Sequence, residues 1–231
     1  MKGVASLLIS VFLLLLAAGC VSAERGPAFG KVVILGNSIT LHGAAPQLGW
    51  EGNWGMAASS EDKDFAHILK SRFTEANGGQ APVMLIDNVS TFERTFDKMD
   101  IKSIASIQKT LEMKPDVFIL GIGENTPDQE TEEGRRLFLA KVTELLTLIR
   151  DECHPLIVVR STFWPREWLD NLLRQACESV GGVYVDIRGL SKEENFARSE
   201  REFKNSGVAV HPGDRGMQAI ADAIWSAISR H

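Results

Sequence analysis

The chain is short of several things, and each shortage closes off a class of function. Charge of one sign is missing: 25 Lys and Arg face 30 Asp and Glu, for a net charge of −5 at pH 7. No basic stripe runs along any segment, so nothing is built to neutralise phosphates and nucleic-acid binding has no support. Cysteine is scarce, with three residues in 231. No His/Cys/Asp/Glu cluster has the spacing of a zinc site, so neither a metal nor another cofactor is expected. Internal repeats and low-complexity tracts are absent as well. What remains is 44% hydrophobic and 24% charged, the make-up of one globular domain with a full core.

Only the N-terminus carries a long apolar run. Lys2 precedes Leu7–Leu16, and Ala17-Ala18-Gly19 follows. A charged start, a short apolar stretch and small residues together read as an export signal, too short for a transmembrane helix. Two cleavage points compete. Leu16-Ala17-Ala18-Gly19-Cys20 resembles a bacterial lipobox, which would make Cys20 the lipidated first residue of the mature chain. Val21-Ser22-Ala23 offers ordinary cleavage after Ala23. The lipobox is favoured because it accounts for Cys20. The reading is then a signal peptide over 1–19, a linker over 20–28 and a domain over 29–231, placed in the cell envelope by a lipid anchor, with a secreted or periplasmic protein as the alternative. Cys153 and Cys177 lie toward the bottom of the expected sheet. In an exported protein they can be a disulfide or two buried thiols.

From Lys31 onward apolar runs alternate with helical patterns. Strands are expected near 31–36, 82–88, 116–121, 155–161 and 183–187, and helices near 62–76, 98–113, 131–151, 165–180 and 214–229. Continuous apolar runs separated by helices indicate parallel strands covered on both faces. Right-handed crossovers then give a three-layer α/β/α domain around a five-stranded parallel sheet. Two long segments, 41–61 and 188–210, fall at the carboxyl edge of that sheet, where open α/β folds hold ligands.

The residues able to do chemistry gather at this edge. Ser38 follows the first strand by two residues, within Gly36-Asn37-Ser38-Ile39-Thr40. His211, in His211-Pro212 ahead of the last helix, can return to the same place. A serine hydroxyl becomes a nucleophile when an imidazole takes its proton. Taken on its own, Ser38 reads first as a cap of the segment that follows and only second as a nucleophile. After the third strand comes Gly121-Ile122-Gly123-Glu124-Asn125-Thr126, and the first long loop holds Asn53-Trp54-Gly55. Glycine N–H groups and asparagine amides suit an oxyanion, although each taken singly also fits a turn.

The ordered set resembles the SGNH, or GDSL-like, hydrolases from about Lys31 to the C-terminus. Gly36-Asn37-Ser38 stands for the family's Gly-Asp-Ser, Gly55 for its second glycine, Gly123-Glu124-Asn125 for Gly-x-Asn and His211 for its histidine. The resemblance implies a flavodoxin-like fold and a serine ester hydrolase. In it, Ser38 is the nucleophile, His211 the base, and Ser38 N–H, Gly55 N–H and the Asn125 side chain the oxyanion hole. Three departures stand out. Asn37 replaces an Asp that mainly shapes the turn, and Thr126 replaces an Asp after the Asn. Val208 occupies the place, three before His211, where the family has its triad Asp. A main-chain carbonyl near Val208 would have to orient the imidazole. Asp214 is expected to cap the last helix instead.

Of the other histidines, His42 is expected as an exposed loop residue, His67 within a helix and His154 at a strand start. Trp50, Trp54 and Trp164 can form a platform for a sugar ring or pack the long loops. The resulting expectation is an esterase acting on O-acyl groups, O-acetyl on carbohydrate foremost. A lipase or thioesterase for longer chains and a non-catalytic glycan-binding protein are the alternatives.

Overall fold

The computed structural model describes residues 28–231, so the export signal and Cys20 lie outside the described residues. Five strands form one parallel sheet: β1 (Lys31–Gly36), β2 (Val83–Asn88), β3 (Val117–Gly121), β4 (Leu156–Arg160) and β5 (Val183–Val185). Their order across the sheet is β2-β1-β3-β4-β5. The helices are α1 (Phe65–Ala76), α2 (Ser90–Thr95), α3 (Ala105–Met113), α4 (Glu132–Cys153), α5 (Glu167–Ser179), α6 (Ser206–Ala209) and α7 (Asp214–Ile228).

Alternation along β1 divides the core in two. Val32 and Ile34 point to one face, with Val117 and Ile119, and are covered by Phe65, Leu69 and Phe73 of α1 and Met217, Ile220 and Ile224 of α7. Val33 and Leu35 point to the other, with Phe118 and Leu120, beneath α2, α3, α4 and α5. Burial on both faces explains why the strands read as unbroken apolar runs. The register pairs Gly36 with both Asn88 and Gly121, which brings the ends of β1, β2 and β3 level at one edge.

The expected elements are present with shifted ends. The helix expected from 62 begins at Phe65, because Asp64 caps it by accepting the His67 N–H at 2.8 Å. The one expected from 98 becomes a 3-10 turn at Ile101–Ser103 followed by α3. Short α2 and α6 were not expected, since four to six residues are too few to show a helical period. Asp214 corrects the capping expectation: it is the first residue of α7, and its carboxylate accepts from Ser59 N at 2.7 Å and Ser59 Oγ at 2.6 Å. Glu200 serves the helix start, accepting from Asp214 N at 2.7 Å and Arg215 N at 2.8 Å. His154 closes α4 in the left-handed region (φ 54°). Cys153 and Cys177 are free thiols, and burial pushes the Cys177 thiol up to about 12.

Candidate active site

Ser38 sits on a tight turn that the end of β1 makes possible. A Cβ on Gly36 would lie 2.1 Å from Thr40 Oγ1 and 2.8 Å from the Gly121 carbonyl, so only glycine fits there. The Asn37 carbonyl accepts from Thr40 N at 2.9 Å and Leu41 N at 3.0 Å, while its Oδ1 accepts from Ile39 N at 3.1 Å. The turn is thereby closed around Ser38, whose own carbonyl accepts from Met56 N at 2.8 Å. Among the described residues, the Ser38 N–H has no acceptor.

His211 arrives from the opposite end of the chain, with Nε2 2.9 Å from Ser38 Oγ. Its Nδ1 lies 2.7 Å from the Gly207 carbonyl. A carbonyl can only accept, so Nδ1 carries the proton and the Nε2 lone pair faces the serine hydroxyl. Asn205 sets up this carbonyl by capping α6, accepting from Val208 N at 3.1 Å. The carbonyl in question belongs to Gly207, one residue before the position expected. Burial is the main influence on His211 and lowers its pKa, against smaller opposing effects of the Gly207 hydrogen bond and Glu124. The imidazole is therefore held neutral and in the tautomer a base requires. Trp164 packs edge-on against it, with ring centroids 5.1 Å apart.

The loop after β3 supplies Asn125. Its Nδ2 donates to Glu93 Oε2 at 2.6 Å and its Oδ1 accepts from Arg94 Nη2 at 3.1 Å. A carboxylate on one side and a guanidinium on the other permit one amide orientation only, and leave Nδ2 a second hydrogen. Gly123, at φ 125°, allows the loop's path, since a Cβ there would meet Leu169 Cδ2 at 2.6 Å. Glu124 turns inward to a 2.6 Å ion pair with buried Arg160. It also accepts from Phe163 N at 2.9 Å and Asn37 Nδ2 at 2.6 Å.

Two expected residues are placed otherwise. Gly55 is buried and its N–H donates to Asp64 Oδ2 at 2.9 Å, so that N–H is not available to an oxyanion. Trp50 is only 6% exposed, donates to the His42 carbonyl at 3.0 Å and packs edge-on against Trp54, so it packs the loop and shows the cleft only an edge, not an open platform. Trp54 is half-buried and, with Leu48, Glu51, Arg201, Phe203 and Asn205, lines a cleft of about 800 Å³ between the two long loops. His42 is half-buried, with Nδ1 2.6 Å from the Gly43 carbonyl. Glu93 escaped sequence reasoning. Its signal was its position, five residues past a strand ending level with Gly36.

No family model and no curated protein matches the sequence. Solved structures do match by shape. A protein described as a GDSL-like lipase from Bacteroides uniformis shares 16% identity at a TM-score of 0.58, over 88% of this chain and 97% of its own. One so described from Bacteroides ovatus shares 15% at 0.58, over 88% and 99%. A two-domain esterase active on acetylated mannans, co-crystallised with mannopentaose, shares 16% at 0.57, over 87% of this chain and 50% of that one. These likenesses give the chain the α/β/α fold of GDSL-like lipases and carbohydrate esterases.

Proposed function

We propose that this protein is a serine esterase that removes O-acyl groups, O-acetyl foremost, from carbohydrate. The observation that carries the reading is the 2.9 Å approach of Ser38 Oγ to a His211 whose Nδ1 is committed to the Gly207 carbonyl. The serine proton passes to Nε2 as Oγ attacks the ester carbonyl. Ser38 N–H and the second Nδ2 hydrogen of Asn125 would stabilise the oxyanion. His211 then returns its proton to the departing alcohol, and a water it deprotonates releases the acid from the acyl-enzyme. Without an acid behind His211, imidazolium is stabilised by a carbonyl dipole and by Glu124 at a distance, which predicts slow turnover. The carbohydrate part draws on the mannan esterase that shares the fold and on the polar cleft beside Trp54, which neither Ser38 nor His211 lines but which Asn205, the cap of α6, borders. Export and a lipid on Cys20 complete the proposal; an unmodified Glu24 as the mature N-terminus would remove the anchor.

The test is fluorophosphonate labelling together with p-nitrophenyl ester turnover. Labelling at Ser38 with acetate preferred over octanoate supports the reading. A preference for octanoate moves the substrate to longer acyl chains, and no labelling leaves a binding protein on a hydrolase fold.

A further inference from the structure

Beneath the Ser38 turn lies a buried polar layer that none of the four motifs accounts for. Glu93, within six-residue α2, is 0% exposed and accepts four hydrogen bonds. They come from Asn37 Nδ2 at 2.9 Å, Gly123 N at 2.8 Å, Asn125 N at 3.0 Å and Asn125 Nδ2 at 2.6 Å. Four donors fill the acceptor sites of an ionised carboxylate. Three of them belong to the loop that presents Asn125, so this one side chain fixes both the loop's backbone and its amide. Burial, and after it the charge of Glu124, raises the Glu93 carboxyl above the usual carboxylate range, and the hydrogen bonds from the Asn37 and Asn125 side chains and from Gly123 N oppose that.

Asn37 joins the two carboxylates. One Nδ2 hydrogen goes to Glu93 Oε1 at 2.9 Å and the other to Glu124 Oε2 at 2.6 Å. Taking the esterase reading as given, we propose that Glu93 is the positioning residue for Asn125, and that residue 37 is an amide because it bridges two buried carboxylates.

An Asp at 37 would be a third acid in this layer. Residue 37 touches Glu93 from α2 and Glu124 from the loop after β3; the next charged groups are Arg160 from β4, paired with Glu124, Arg94 on α2, and, beyond Ser38, His211. Neither guanidinium donates to residue 37. Arg160 commits Nη1 and Nη2 to Glu124, Gly121 O and Ser161 O, and its buried Nε has no partner among the described residues; Arg94 is directed outward to Ser90 Oγ and Asn125 Oδ1. Burial and like charge would both raise the pKa of an Asp at 37. Protonated, it can still donate one hydrogen bond; ionised, it repels both neighbours.

The experiment measures kcat and KM for p-nitrophenyl acetate on the full chain from about pH 5 to 8, with melting curves, for Glu93→Gln, Asn37→Asp and Asn37→Ser. Glu93→Gln turns an N–H₂ toward groups that donate, and is expected to lower kcat about 100-fold with KM little changed. For Asn37→Asp, the ratio of its kcat to wild type falls at least about tenfold from the acid to the alkaline end, as the new carboxyl ionises. Asn37→Ser is slower at every pH and its ratio is flat, because it adds no charge. If Glu93→Gln does not fold, the contrast between the two Asn37 variants decides alone. A flat ratio for Asn37→Asp, or a folded Glu93→Gln within about twofold of wild type, overturns the proposal while wild-type turnover keeps the esterase reading. A wild type that neither turns over esters nor labels at Ser38 overturns the esterase reading first.

Discussion

His67 and His211 hold their rings in opposite ways. His67, on α1, has the partner a catalytic triad asks for: both oxygens of buried Asp64 lie 2.9 Å from Nδ1. Its Nε2 faces Glu61 at 3.4 Å, not a hydroxyl. His211 has the hydroxyl and only a carbonyl behind it. Protonation follows the surroundings. The Asp64 hydrogen bond is the largest influence on His67 and raises its pKa above 6.5, whereas burial lowers that of His211 below 6.5. A carboxylate partner favours imidazolium, whereas at His211 burial outweighs the carbonyl's hydrogen bond and favours the neutral ring. A base that must start neutral can therefore work without an acid, at the expense of weaker imidazolium stabilisation in the transition state. The Asp–His pair ties α1 to Gly55.

The sharpest way to break this comparison is to remove each ring in turn. His211→Gln should lower kcat/KM for p-nitrophenyl acetate at least about 1,000-fold, since it removes the general base of the proposed mechanism. His67→Gln should leave it within about threefold. Equal losses would mean that the two histidines are coupled and that the division drawn between them is wrong.

Next in size is an attempt to supply the acid. Val208 stands where the SGNH pattern has its Asp, yet it is 2% exposed among Ala45, Trp50, Ala57 and Ala197. Its side chain packs under the loops, and it is the carbonyl of the preceding residue that faces the imidazole. Val208→Asp therefore buries an unpaired carboxyl, which costs several kcal/mol. A drop in melting temperature of about 5–10 °C without any gain in kcat is expected. A faster enzyme with an unchanged melting temperature would show that the site can accept a triad acid.

The family's pattern misleads at this position for the reason that hid Glu93. Sheet, helices and the meeting of residues 38 and 211 were legible because they follow from apolar periodicity and from strand ends sharing an edge. Where an N–H or carboxylate points is not written in spacing. Gly55 matched a motif as a letter, but its N–H belongs to Asp64. Val208 is a departure as a letter, and the backbone of α6 makes it good. Glu93 is 56 residues from Asn37 in sequence and has no motif, so only coordinates reveal that it organises two of the motifs.

A smaller effect concerns the pH at which the base becomes available. In the proposed mechanism His211 must lose its proton before it can accept one from Ser38, so kcat/KM should rise with pH through its folded-state pKa. Because burial depresses that value, the acid limb should have its midpoint below 6.5. A midpoint above 6.5 would mean that an unrecognised anion stabilises the imidazolium, and the contrast with His67 would disappear.

The least effect falls on stability at His67, and its sign is opposite. The folded-state pKa is raised above 6.5, so folding is favoured most where the ring is protonated in both states, below 6.5. The contribution fades as pH climbs through the raised value, because the folded chain then gives up a proton it had held more tightly than the unfolded one. His67 is partly exposed and Glu61 mostly so, which keeps the effect modest through solvent screening. The melting temperature of wild type should therefore exceed that of His67→Gln by more at acidic than at alkaline pH. A gap that widened toward alkaline pH would place the neutral ring, not the ion pair with Asp64, in the folded protein, and both histidines would then be held alike.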